Sequence, residues 1–238
     1  MLGAFRVTIG DVVVDESRWA RKKAETLIKL LAVEPGHEIL RDRLLEMLWP
    51  ELEPDQALNN FHKAVHAARR ALEPELKSGA ESRFVVTNDR RISLRAADLW
   101  IDAEVFEQQA KKALAADPPS AAEIESSLTL MTGEFLAADR LEDWAAVRRE
   151  RIAGLHQDLF LRLGTIYERT GDTRQATEIL RQAVNVQPAN ENAHRHLMRL
   201  YAATGNRHLA LNQFRTCCEI LRKDLDAEPE SSTVRLHE

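Results

Sequence analysis

Cysteine is scarce in this chain, and the two residues it has, Cys217 and Cys218, are neighbours inside a helical pattern. Adjacent thiols cannot make a long-range bridge, so a disulfide-stapled fold is excluded and a reducing compartment, the cytoplasm, is expected. On a helix whose apolar side is mostly Leu, Phe and Ile the two thiols read as small packing residues rather than as a redox pair. Long apolar runs are missing too. Nowhere do about eighteen apolar residues follow one another, so no membrane span is expected, and the opening MLGAFRVTIG alternates instead of forming the apolar block of an export signal. Aromatic residues make up only 5% of the chain while Leu, Ala, Glu and Arg dominate, a balance that leans towards a mainly helical protein.

Catalytic signatures are lacking as well. Phosphate-cradling loops of the G-x-x-x-x-G-K type need two glycines at a fixed spacing so that successive N–H groups converge, and no two glycines here have it. No nucleophile elbow and no H-E-x-x-H helix occurs. His62 and His66 stand at i, i+4, a spacing that can hold a metal, but neither a cysteine nor a carboxylate stands beside them to complete the site. His194 and His196 are two apart, point to different helix faces, and read as surface residues. The expectation is a protein that is not an enzyme, with no cofactor, no metal and no catalytic residues.

What is present is a chain of 238 residues, 44% hydrophobic and 30% charged, enough for one large or two ordinary domains with a proper core. The net charge of −5 is unevenly spread: residues 1–100 hold 16 basic and 16 acidic side chains, the remainder 17 and 22. The first part is neutral overall, so any contact it makes with an acidic polymer must come from local patches.

Read in order, Phe5, Val7 and Ile9 alternate with polar residues, Gly10-Asp11 supplies a turn, and Val12 to Val14 resume the extended pattern, which predicts a small hairpin. Ala24, Leu27, Ile28 and Leu31 then repeat at helical spacing over 21–31, stopped by Pro35-Gly36. A short helix over 41–49 buries Leu44, Leu45 and Leu48 and ends at Pro50. A third helix is expected over 55–72, DQALNNFHKAVHAARRAL, with Leu58, Phe61, Val65, Ala68 and Leu72 as its apolar stripe. Its opposite face collects Asn59, Asn60, Lys63, His66 and Arg70, with His62 and Arg69 at the edges and Ala67 in its middle. Amide, imidazole, ammonium and guanidinium groups are what base edges and phosphates accept, so this face reads as made for the major groove of DNA; the plainer reading is a basic, solvated surface. Glu73-Pro74 ends the helix, a polar loop of Lys77, Ser78 and Gly79 follows, and strands over 84–87 and 91–94 make a hairpin whose tip carries Arg90 and Arg91.

Strands, three helices and a basic hairpin in this order resemble an OmpR/PhoB-type winged helix-turn-helix, the match running through 21–31, EPGHEILRDRLLEMLWP at 34–50, ALNNFHKAVHAARRAL at 57–72 and the hairpin at 83–94. The resemblance implies that the third helix enters the major groove, that the wing with Arg90 and Arg91 reaches the minor groove or backbone, and that the first helix, here beginning at Arg21 and Lys22, helps to grip phosphates. That family often has a basic residue where this chain has Ala67, which puts a contact at this position in doubt.

Beyond residue 101 the pattern is helical: 102–115 with Asp102 at its start, a partner over 121–131, and a long helix from Asp143. Leu163, Tyr167, Gly171, Ala176 and Leu180 return 34 residues later as Leu197, Tyr201, Gly205, Ala210 and Phe214, the tetratricopeptide period. One such unit cannot bury its own face, so the pair at 103–131 is expected to stack on as an irregular unit, and the chain ends inside a new helix. LEDWAAVRRERI at 141–152, the two repeats and LALNQFRTCCEILRKDLDAEPESSTVRL at 209–236 resemble the bacterial transcriptional activation domain. Joined to a winged helix, that is the arrangement of the Streptomyces antibiotic regulatory protein family. The fold expected is mainly α: an α+β winged helix over 1–101, able to fold alone, and an all-α tetratricopeptide-like repeat domain over 102–238. The resemblance implies an activator that binds double-stranded DNA at tandem direct repeats and contacts RNA polymerase holoenzyme or a second copy of itself, as a homodimer on DNA, away from any membrane. A different class stays open: a scaffold whose winged helix has lost DNA binding and serves the repeats.

Overall fold

The computed structural model describes residues 1–77 and 79–238; Ser78, expected in the loop after the third helix, lies outside the described residues. The chain forms two compact units, one of Met1–Glu104 with Gly133–Glu150, the other of Val105–Thr132 with Arg151–Glu238. The fold is mainly α with a small β component, as its composition implied.

In the first unit β1 (Thr8–Ile9) and β2 (Val12–Val13) form an antiparallel hairpin, turned by Gly10 at a φ of 58°. Helices α1 (Lys22–Val33), α2 (Arg41–Leu48) and α3 (Pro54–Leu72) follow the expected order within a residue or two. Between α1 and α2 lies a strand that periodicity did not reveal, β3 (Glu38–Leu40). It is too short to show an alternation, and it pairs with β5 (Arg91–Leu94), whose other side pairs with β4 (Val85–Thr87). The resulting antiparallel sheet, ordered β3-β5-β4, packs Ile39, Ile92 and Val85 against Leu27, Leu31, Leu44 and Phe61 of the helices.

Helix α3 buries more than the expected stripe. Ala57, Ala64 and Ala71, seven residues apart, widen the face of Phe61, Val65, Ala68 and Leu72, while Leu58 is only half-buried. Ala67 is a correction: it is only 9% exposed and belongs to the core side, not to the middle of the open face. At the end of α3 the buried Glu73 accepts bonds from the Ser82 hydroxyl and from Arg83 N and Nε, both at 3.2 Å. Burial pushes this carboxyl up, but the bonds from Ser82 and Arg83 outweigh it and hold the group below its usual range.

Residues 133–150 complete this unit. Gly3 N donates to Glu134 O at 3.0 Å and Leu136 N to Met1 O at 2.9 Å, and the backbones pass so closely that a Cβ on Gly133 would stand 2.9 Å from Gly3 Cα. Lys29, on α1 and only 4% exposed, reaches Asp139 at 2.7 Å and Glu25 at 2.6 Å, and lies over the Phe5 ring. Arg148 donates to the last carbonyls of α1, Ala32 O at 3.3 Å and Val33 O at 3.2 Å, groups that a helix C-terminus leaves unpaired.

The second unit holds most of α4 (Asp102–Ala115), then α5 (Ala121–Leu128), most of α6 (Asp143–Thr170), α7 (Thr173–Val186), α8 (Glu191–Ala203), α9 (Arg207–Leu225) and α10 (Ser231–His237). The repeat read from the sequence is physical. Gly171 and Gly205 both take a left-handed φ, 78° and 77°, at the turn of each helix pair. Ala176, Leu180, Leu197 and Tyr201 are buried in one cluster, and a Cβ on Gly164 would meet the Leu180 side chain at 2.8 Å, so a larger residue there would require Leu180 to move. Ala210 and Phe214 are less covered; His237 of α10 stacks on Phe214 with ring centroids 4.0 Å apart. His194 is a second correction: it is fully buried, with Nε2 2.8 Å from Pro188 O and Nδ1 2.6 Å from the Gln213 amide. Cys217 is buried and its thiol is pushed up to about 12, chiefly by burial, as a packing residue requires.

Candidate nucleic-acid interface

Taking α3 at about 100° per residue, its open face runs from Arg69 and His62 at one edge, through His66, Asn59 and Arg70, to Lys63 at the other. Asn59, His62, Lys63, His66 and Arg70 are exposed, Asn60 and Arg69 half-buried. From Gln56 to Leu72 the helix carries no carboxylate; Asp55, in the first turn, lies in line with His66 at the far end of the face.

Each edge is backed by another element. On one side Arg69 Nε donates to Val85 O at 3.0 Å and its Nη2 to Thr87 Oγ1 at 3.1 Å, which fastens α3 to strand β4 of the wing. On the other side the residues before α1 face the helix across a concavity of about 630 Å³, lined by Arg18, Ala20, Arg21, His62, Lys63, His66, Ala67, Arg70 and Pro74. Six basic or imidazole side chains thus meet there, and no acid lines it among the described residues. Arg70 also donates to Leu76 O at 3.0 Å, which holds it across the end of α3.

The two wing arginines differ. Asn88 Oδ1 accepts from the N–H groups of Arg90 and Arg91 at 3.0 and 2.7 Å and shapes the tip. Arg91 is paired with Glu38 of β3 at 2.7 Å, while the Arg90 guanidinium is exposed and makes no ion pair among the described residues. Arg41 N donates to Arg90 O at 2.7 Å and ties the tip to the start of α2. Arg21 and Lys22 are both exposed at the beginning of α1, but only Arg21 lines the concavity. Arg18 was not foreseen. It sits in a short helical turn, Glu16–Arg18, and the face of one helix read alone cannot reveal a cation brought to it from forty residues away.

Fold and site define a winged-helix unit joined to a tetratricopeptide-like helical array. The model of the family described as "bacterial transcriptional activator domain" matches residues 101–238. A curated relative, the transcriptional regulator RedD of Streptomyces coelicolor, is 28% identical over 227 residues, covering 90% of this chain and 63% of RedD. Among solved structures, Mycobacterium tuberculosis EmbR, determined in complex with a low affinity phosphopeptide, superposes with a TM-score of 0.78 at 18% identity, covering 99% of this chain and 62% of that one. The chain therefore spans less than two thirds of the length of both relatives. It belongs to the bacterial transcriptional activator domain family. Among the described residues no helix is long and apolar enough to cross a membrane.

Proposed function

We propose that this chain is a sequence-specific, DNA-binding transcription activator of the cytoplasm, with the DNA contacts in residues 1–101 and the activating surface in 102–238. The observation that carries the reading is the meeting of α3 with Arg18 and Arg21 in a basic concavity free of carboxylates. Helix α3 lies in the major groove, where Asn59, Lys63 and His66 read base edges, His62, Arg69 and Arg70 hold the helix in place, and Asn60, half-buried beyond Lys63, supports the edge of the face. Arg90 and Arg91 of the wing and Arg21 and Lys22 of α1 take the flanking backbone. The site is a pair of tandem direct repeats, and the helical array contacts RNA polymerase holoenzyme or a second copy on DNA.

Binding to random duplex DNA at low and moderate salt tests the class: affinity that falls steeply with salt supports it, and no binding at either salt turns the winged helix into a protein-interaction module. Within the DNA reading, Lys63→Ala and His66→Ala each lower binding to a selected target more than to random duplex, because a bidentate base contact is worth about 1–3 kcal/mol of discrimination. Equal losses on both duplexes would reassign the two residues to the backbone.

A further inference from the structure

Ala67 borders the open face of α3 from the core side, and alanine there offers DNA nothing to bond. The structure gives it another use. Ala67 is almost fully buried yet lines the concavity, and Ala20 lines it from the other wall. Two methyl groups at these places leave room that a long side chain would fill. The rim is cationic from three sides: Arg18 from the turn before α1, Arg21 from the start of that helix, and Lys63 and Arg70 from α3. Arg18 and Arg21 are exposed and their guanidinium groups have no ion pair among the described residues. Asp15 is the carboxylate that interacts with Arg18, and it is already bonded to the N–H and hydroxyl of Ser17. A small-floored, cation-rimmed hollow without acids fits a phosphate oxyanion, whose oxygens guanidinium forks bond in pairs.

We propose that this hollow is the seat of one DNA backbone phosphate, with Ala67 and Ala20 as its floor and Arg18 and Arg21 as the clamp, so that cations from outside α3 hold the backbone beside it. The proposal rests on reading α3 as the DNA-contacting helix. It makes Arg18 a positioning residue: it fixes the register of α3 on the duplex and carries no sequence information. Ala67 is a steric requirement of the seat.

The test is binding of the full chain to random duplex DNA across salt, for wild type, Arg18→Ala and Ala67→Leu. Arg18 is exposed, so its truncation does not threaten the fold, and this variant keeps the test decisive if Ala67→Leu does not fold. Losing one phosphate contact lowers the log–log salt slope by about 1, so the ratio of wild-type to R18A affinity shrinks about threefold between roughly 50 and 200 mM salt. A67L, which adds no charge, is expected to lose the same slope by filling the seat, and Arg18→Ala added to it to cost nothing more. Equal fractional losses on target and random duplex support a phosphate seat. An unchanged slope in R18A, or a folded A67L that binds like wild type, overturns the proposal while leaving α3 on DNA. Salt-independent or absent binding by wild type overturns the DNA reading itself and the seat with it. Inorganic phosphate added at constant ionic strength is expected to compete weakly in wild type and not in R18A; competition that persists in R18A would place the anion elsewhere.

Discussion

At the scale of single residues, burial decides which charges are free to act. His156 packs with its ring centroid 4.7 Å from that of Phe160 and 6.3 Å from that of Phe106, and burial lowers its pKa from 6.5 to about 4. The unfolded chain takes a proton near 6.5 and the folded chain only near 4, so between these values the unfolded state binds more protons. The stability this group contributes is complete above the higher value and is lost as pH falls towards the lower one. His194, depressed chiefly by burial, acts in the same direction. Denaturant titrations are expected to show stability falling by on the order of 2 kcal/mol over that window, after allowance for residual solvent screening, and His156→Leu to flatten the fall. A slope unchanged by the substitution would mean that other groups carry the acid sensitivity. The wing makes a similar division. Among the described residues the Arg90 guanidinium makes no ion pair and Arg91 is engaged with Glu38, so Arg90→Ala should weaken binding evenly across duplex sequences, whereas Arg91→Ala acts mainly on the wing's attachment to β3 and costs less binding. Filter binding of the two variants on random duplex distinguishes them, and the reverse order of losses would show that Arg91 rather than Arg90 is the main backbone contact of the wing.

At the scale of elements, the notable piece is residues 133–150, which lie within the matched activator domain yet count physically with the winged helix. Lys29 is nearly inaccessible and depends on Asp139, 110 residues away, and on Glu25. Removing one member of a buried pair leaves a charge that neither water nor protein satisfies, which typically costs about 3–5 kcal/mol. Because Glu25 remains, Asp139→Ala is expected at the lower end, as a reduced urea midpoint with an unchanged slope. Cutting the chain after residue 101 removes Asp139 and also the Arg148 bonds to the end of α1. Hydrogen exchange at α1 amides should therefore be faster in a 1–101 fragment than in the whole chain, and equal protection would show that the segment adds no stability. The three helices of the winged fold were legible because each carries an apolar stripe at its own period, and so were the repeats, because Gly171 and Gly205 mark the same turn twice. Strand β3 was not, since three residues make no period, and neither was the burial of Lys29 and Ala67, since both depend on partners brought from elsewhere in the chain. Of the candidate interface, the basic face of α3 could be read from spacing, but the hollow beside it could not, because its other wall is built by Arg18 and Arg21.

At the scale of the whole molecule, charge limits what one copy can do on DNA. Residues 1–100 balance 16 basic against 16 acidic side chains and the rest of the chain is net acidic, so long-range attraction to a duplex is weak, and in the proposed binding mode affinity rests on the local patch of α3, the hollow and the wing. A single winged helix covers a short site, and a short site recurs too often for selective binding in a genome. A second copy bound at a fixed spacing adds selectivity without new base contacts, provided that the two proteins touch; such coupling is commonly about 1–3 kcal/mol, roughly five- to hundredfold in affinity. The expectation is that the full chain binds two half-sites in tandem with that advantage over one. Because successive copies must lie on the same side of the helix to touch, inserting about half a helical turn, roughly 5 base pairs, between the half-sites should abolish the advantage, while about a full turn should restore part of it. Titration of the full chain against one half-site, the tandem pair and the two spaced variants measures this directly. Equal affinity for one and two half-sites would show that copies bind independently, and would leave the helical array to act on the transcription machinery alone.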